Sequence, residues 1–275
     1  MLYQLLIIFL HIERYGHFNE DKNHNKTAIN FTDENGAAVV VGSYGGASQT
    51  YTRDNNGRLL VTRFFDEKGN PSAIADYCAA RFTYDKNGYQ ESRTYLDAND
   101  NIILDTNYNY ATLKYENDDK GNALTTTFLD EKGNLINNKF GYATEKSQYN
   151  NQGLETRVAY YDNNGNPADY QGFGYSVKTT EYDEYGRETA ISYFDGDNNP
   201  VNTLGPIYSF GYHQEKTIYN YGANTKITGE FYDADGNLTN SQTSSMGESY
   251  AKTVIFVQDG IITSQTSYDK NGDIW

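Results

Sequence analysis

The chain has 275 residues, 37 Asp and Glu against 22 Lys and Arg, and a formal net charge of −15. A sequence pI near 4.6 disfavours nucleic acid, whose phosphates need clustered Lys and Arg, and anionic membrane surfaces. One cysteine, Cys78, excludes an internal disulfide framework. Leu, Ile, Val and Phe total 53 residues, which alone would point toward disorder, but 27 Tyr supply apolar area. The expected core is thin and aromatic.

In chain order, residues 1–16 come first. Leu2 to Ile12 is apolar except for Gln4 and His11. It is too short to span a bilayer and lacks the basic start and cleavage site of a secretory signal. An irregular N-terminal segment is expected there, followed by an array over 17–275.

The array is defined by two turn signatures. Turn A, aromatic-x-Asp-x-x-Gly, has its Asp at Asp33, Asp66, Asp97, Asp130, Asp162, Asp195, Asp233 and Asp269. Turn B, Tyr-Asp-x-x-Gly or a decayed form, falls at Asp21, Asp54, Asp85, Asp118, Asn150, Asp183, Asn220 and Val257. Turn A recurs at gaps of 33, 31, 33, 32, 33, 38 and 36 residues, and turn B keeps step. Two signals at one period of about 33 mark a unit copied about seven and a half times, an array and not one irregular globule.

Each unit reads as strand, turn, strand, turn. In Tyr160-Tyr161-Asp162-Asn163-Asn164-Gly165, Asp bonds back to nearby amides and Gly supplies a positive φ. The same chemistry is expected at Asp66 and Gly69, Asp130 and Gly133, Asp183 and Gly186, and Asp233 and Gly236. From turn B to the next turn A the spacing is 12 in seven of eight copies, one strand of fixed length. A Gly-Tyr-like landmark recurs at Tyr44, Tyr77, Tyr110, Tyr142, Tyr175, Tyr212 and Tyr250. The stretch before it absorbs all length variation, so it is a loop of the kind that lies on a binding face.

The residue two before turn A is aromatic at Phe31, Phe64, Tyr95, Phe128, Tyr160, Tyr193 and Phe231, which predicts a stacked structural ladder. The landmark tyrosines, beside the variable loop, are expected to be more exposed. Tyr142, Tyr175 and Tyr212 are therefore the ligand-binding candidates, with sugar faces stacking on their rings. Terminal copies decay, at Glu20-Asp21-Lys22-Asn23-His24-Asn25 and at Asp269 to Trp275. An array that stops mid-copy reads as a piece of a longer one.

Catalytic and metal chemistry find little footing. Asp195-Gly196-Asp197 and Asp233-Ala234-Asp235 resemble calcium loops, but the position of a bidentate Glu holds Pro206 and Ser244. His11, His17 and His24 lie in the degenerate start. His213 replaces the Ala or Ser of most other copies. No P-loop, nucleophile elbow or zinc spacing is present. Neither an enzyme, a metal nor a cofactor is expected.

Tyr182-Asp183-Glu184-Tyr185-Gly186-Arg187 resembles the YD repeat of Rhs and teneurin proteins, whose strands wind into a large β-shell. Phe64-Phe65-Asp66-Glu67-Lys68-Gly69-Asn70-Pro71 and Phe173-Gly174-Tyr175 resemble the aromatic-Gly repeats of bacterial cell-wall and glucan-binding proteins. The expectation is an all-β, elongated array of β-hairpins, either a solenoid or a curved single sheet. Its expected work is non-catalytic surface or cell-wall association, binding polysaccharide or acting as a spacer. The alternative is part of an Rhs-like shell associated with a polymorphic toxin. An extracellular or cell-surface place is favoured, without membrane insertion.

Overall fold

The computed structural model describes residues 4–9, 12–42, 45–73, 76–204, 211–221, 225–242 and 249–275, with the backbone alone for 4–9, 12–14 and 242. Among the described residues there is no α-helix. The strands are β1 Gln4–Phe9, β2 Ile12–Glu20, β3 Lys26–Thr32, β4 Ser48–Arg53, β5 Leu59–Phe65, β6 Ala79–Tyr84, β7 Gln90–Leu96, β8 Thr112–Asn117, β9 Ala123–Leu129 and β10 Thr144–Tyr149. They continue as β11 Glu155–Tyr161, β12 Val177–Tyr182, β13 Glu188–Phe194, β14 Gln214–Asn220, β15 Thr225–Tyr232, β16 Ser241–Gln242, β17 Ser249–Tyr250, β18 Lys252–Gln258 and β19 Ile261–Tyr268. Seventeen belong to one sheet, and β16 with β17 form a small second one.

The array expected from the period is therefore present as an all-β, open sheet of hairpins. By contacts it divides into two compact units, Met1–Gly121 with Thr127–Ile136, and Asn122–Thr126 with Asn137–Trp275. The N-terminal stretch expected to be irregular instead forms a hairpin, with Phe9 opposite Ile12 and Gln4 opposite His17. Pairing with β2 gives that apolar stretch backbone partners along its length.

Within a copy, turn B closes a long hairpin. Between copies, a shorter three-rung ladder joins one copy to the next, as in Ala190–Lys216, Ile191–Glu215 and Ser192–Gln214, except that β15 and β18 pair over six rungs. Each ladder is extended by the residue after the landmark. Ala111 donates its N–H to Leu129 and accepts from the N–H of Tyr95. Ser176 does the same between Phe194 and Tyr160, and Ala251 between Tyr268 and Phe231. A backbone held on both sides leaves little room for a side chain. Ala111, Ala143 and Ala251 are fully buried there.

The turn acids share one set of bonds. Asp162 Oδ1 accepts the N–H groups of Asn164 and Asn166, both at 2.8 Å, and Asn166 Nδ2 reaches Oδ2 at 3.2 Å. Equivalent bonds run from Lys68 and Asn70 to Asp66, and from Lys132 and Asn134 to Asp130. They recur from Tyr185 and Arg187 to Asp183, and from Asp235 and Asn237 to Asp233. The fourth residue is left-handed, with φ of 80° at Gly69, 83° at Gly133, 85° at Gly165, 79° at Gly186 and 82° at Gly236. Asp100 and Asn198 hold the same conformation at 67° and 65° in copies without the glycine.

Two boundaries differ from the sequence reading. Tyr44 lies outside the described residues, and Gly46 fills the landmark's structural place, bridging Val41 as Tyr110 bridges Asp105. The last turn B is not at Val257. It is the two-residue turn Asp259-Gly260, with φ of 52° and 78°, closing Gln258 against Ile261.

A prediction follows from the left-handed turn position. Gly165→Val places a β-branched residue at positive φ in open space, and should cost roughly 1–3 kcal/mol in chemical denaturation. Gly165→Asn should cost clearly less, because Asn198 already does this work in the next copy. Equal losses from the two variants would refute the φ argument.

Candidate functional site

Alternation along each strand sends the residue two before turn A to one face of the sheet. The landmark tyrosines reach the same face. Within each unit the two sets interleave into a row of rings. In the first unit the row runs Phe64, Tyr77, Tyr95, Tyr110, Phe128, with centroids 5.9, 4.2, 5.5 and 5.0 Å apart. In the second it runs Tyr142, Tyr160, Tyr175, Tyr193, Tyr212, Phe231, Tyr250, at 4.7, 6.3, 4.8, 6.1, 4.7 and 5.8 Å.

The row corrects the expected exposure of the landmark rings. Tyr142, Tyr175 and Tyr212 are only 5, 8 and 3% exposed. Tyr175 and Tyr212 are each pressed between two ladder aromatics, and Tyr142 between Tyr160 and Tyr170, so a sugar face cannot lie on them in this arrangement. The residue before five of the landmarks turns the chain inward at positive φ: Asp76, Asn109, Gly141, Gly174 and Gly211. That conformation is why the sequence so often reads Gly-Tyr. Phe210 of the Phe-Gly-Tyr form lies outside the described residues.

The turn-B position before the Asp also joins copies. Tyr84 donates its hydroxyl to Leu59 O at 2.8 Å, Tyr149 to Ala123 O at 3.1 Å, and Tyr182 to Glu155 O at 2.9 Å. Arg53 and Asn117 make the same reach to Lys26 O and Gln90 O. The variable loops join copies too. Gln171 N–H bonds Phe140 O and Leu204 N–H bonds Phe173 O. Asn137, Asn202 and Asn240 each cap the next turn A through Asn163, Ala234 and Lys270.

Ionisable groups enter the aromatic row at copy-specific points. Arg93 donates to Tyr110 Oη at 2.5 Å and lies 5.3 Å from the Tyr95 ring. Glu145 accepts from Tyr142 at 3.2 Å, and Glu215 from Tyr212 at 3.3 Å. Burial pushes both carboxyls above their ordinary range, with Glu155 adding repulsion at Glu145 and Glu188 at Glu215; the tyrosine hydroxyls, and Lys178 at Glu145, oppose the shift. Burial also raises the phenols, Tyr193 to about 12 and Tyr142, Tyr160 and Tyr212 beyond that. They remain hydrogen-bond donors at any physiological pH.

The turn acids behave in the opposite way. The Asn70 side chain holds Asp66 below its ordinary value, Asn134 does so for Asp130, and Arg187 for Asp183. Their oxygens are engaged by backbone and side-chain N–H groups, which accounts for the calcium-like spacing as turn chemistry. Pro206 and Ser244, in the place of a calcium loop's closing Glu, lie outside the described residues, as does His11. His213 takes the buried-Ala position, half-buried itself, with Nδ1 2.6 Å from Tyr193 O and the ring against Phe194. His17 meets Thr32 Oγ1, and His24 meets Glu20. Cys78 is half-buried, and burial raises its thiol.

One surface feature escaped the sequence reading. Tyr185 and Tyr221 are 71 and 58% exposed, and flank Arg187 at an open groove in the second unit. The available signal was their departure from polar residues at the matching places of earlier turns.

No family model matches the chain, and no curated protein matches it. Among solved structures it is similar to a TcdB2-TccC3-TEV crystal structure, with 13% identity and a TM-score of 0.34, over 95% of this chain and 13% of that one. It is also similar to the Photorhabdus luminescens Tc holotoxin pore carrying a TccC3 mutation, with 13% identity and a TM-score of 0.28, over 96% of this chain and 14% of that one. The chain thus spans about a seventh of these relatives. At such scores the likeness decides nothing about function.

Two measurements probe the row. Tyr175→Ala should cost about 3 kcal/mol, several degrees in melting temperature. An unchanged melting temperature would remove Tyr175 from the core. The pH dependence has a defined sign. A raised Glu binds its proton more tightly folded than unfolded, so stability should rise as pH falls from neutral toward the ordinary glutamate range. Below that range the turn aspartates, lowered in the fold, protonate and stability falls. Glu145→Gln with Glu215→Gln should flatten the upper limb alone, as read by thermal melts across pH 4–8.

Proposed function

We propose that the chain is a non-catalytic repeat scaffold, a spacer or wall segment. The observation supporting this is what the recurring groups do. Recurring aspartates bond turn amides, recurring aromatics pack on one another, and the residue before the turn-B Asp or Asn fastens one copy to the one before, as a tyrosine in three copies. Chemistry copied in every unit is spent on joining units.

A shell segment of the YD type is the more specific form of this reading. It is supported by turn B, Tyr-Asp at Tyr84 and Tyr182 and Tyr-Asn at Tyr149, whose tyrosine hydroxyls each reach the preceding copy. Surface or cell-wall association through the landmark tyrosines has no such support, because those rings are covered.

A spacer holds its ends apart. Small-angle scattering of the purified chain should give a radius of gyration clearly above the roughly 19 Å of a compact domain of this length. Excising 163–195, one full period, should leave a folded protein with a smaller radius. A compact wild-type radius, or loss of folding on excision, would overturn the scaffold reading. For the shell form, a polypeptide co-expressed as its C-terminal continuation should resist protease; cleavage at the rate of the free polypeptide would leave the spacer form only.

A further inference from the structure

Tyr185 and Tyr221, in the groove beside Arg187, lie outside what the scaffold reading uses. Repetition marks structure in this chain, so a departure from repetition marks something else. At the second residue after the turn-B acid, earlier copies carry Asn23, Asn56, Asn87, Lys120 and Gln152. The sixth carries Tyr185. At the first residue, earlier copies are polar throughout, and the seventh carries Tyr221. These two departures occupy adjacent turns and face one groove of about 510 Å³.

The geometry there is specific. Arg187 bonds Asp183 Oδ2 through Nε at 2.6 Å. Its guanidinium carbon lies 4.7 Å from the Tyr185 ring, 4.7 Å from Tyr219 and 4.4 Å from Tyr221. Tyr219 and Tyr221 are nearly parallel, at 4° with centroids 6.3 Å apart. Part of this is structural, since Arg58 stacks on Tyr84 and pairs with Asp54 in the same way. Tyr185 and Tyr221 are the additions, and their outer faces are open to solvent. Exposed aromatic area of this kind carries a standing cost unless it is used.

Charge narrows the occupant. The lining holds Arg187 and Lys216 against Asp183 and Glu184, so the groove is balanced. The cation site among the rings is already filled by Arg187. An anionic polymer meets a chain of net charge −15 with no local compensation. A cationic polymer has no reason to choose a balanced groove over the acidic turns. What remains suits an uncharged ligand with flat apolar faces and a hydroxyl rim. The rings take the faces, and Thr189, Thr217 and Lys216 lie in the lining for the hydroxyls. We infer that this groove binds a neutral polysaccharide, through Tyr185 and Tyr221.

The test is affinity electrophoresis of the full chain in gels containing dextran, β-glucan, xyloglucan or galactomannan, with polygalacturonate as the charged control. Retardation by at least one neutral glycan is expected, and none by polygalacturonate. Tyr185→Ser with Tyr221→Ser should weaken it by about tenfold or more, the scale of one to two lost stacking contacts. Its melting temperature should stay within a degree or so of wild type, because both rings are exposed. Absence of retardation by every neutral glycan overturns the site, as does equal retardation of the double variant or retardation by polygalacturonate alone. A concentration-dependent dimer that the double variant abolishes would assign the rings to a second copy of this chain, and would also overturn it. None of these outcomes touches the scaffold reading, whose readout is the radius of gyration.

Discussion

Ring-on-ring packing between neighbouring strands is the contact on which the rest depends. Each strand places only a few side chains on the packed face, and the hairpins are too short to bury a thick aliphatic core. A tyrosine or phenylalanine at one fixed place in every second strand, with a landmark tyrosine just ahead of the strands between, solves this by packing ring on ring. Each ring then needs a ring on either side. The left-handed residue before the landmark, the small residue after it and the bonded backbone on both sides exist to deliver the second ring to that row. Without the row, the turns would close hairpins that have little to hold them together.

Much of this was legible in the sequence. Asp162 and Gly165 predict their turn because its chemistry is local, and the aromatic two before turn A predicts a ladder because it recurs. What failed was the assignment of Tyr142, Tyr175 and Tyr212. Sequence distance placed them beside a variable loop, and that adjacency suggested exposure. The fold brings them, through Gly141, Gly174 and Gly211, onto the face their ladder partners already occupy. Interleaving of two sequence positions into one row is a property of strand pairing, which no single copy displays. The N-terminal hairpin was missed for a related reason, since no turn signature marks it.

The ionisable members of the row are a different matter. Glu145 and Glu215 stand three residues after a landmark, where other copies place Ala80, Leu113 or Thr253. A carboxylate there is a departure that burial penalises. The tyrosine hydroxyl beside each limits the penalty without removing it. Arg93 is the first unit's counterpart, a cation among phenols with its Nε buried and without a hydrogen-bond partner. Scaffold and departure thus coexist on one face, and the departures give each copy an identity.

That identity bears on how such a chain avoids misfolding. A sheet made of near-identical hairpins can slip by one whole period and satisfy almost every backbone bond and ring contact again. Nothing in the shared chemistry distinguishes the right neighbour from the next one along. The copy-specific contacts do. Arg63 reaches Asp100 at 2.7 Å, Arg157 reaches Asn198 at 3.1 Å, and Lys252 reaches Glu230 at 2.8 Å. Each is exposed or half-buried and contributes little to the stability of the finished fold. A slipped pairing would separate the pair that spans it. Their effect is therefore on specificity: they act as addresses that tell one hairpin which of its near-twins to join.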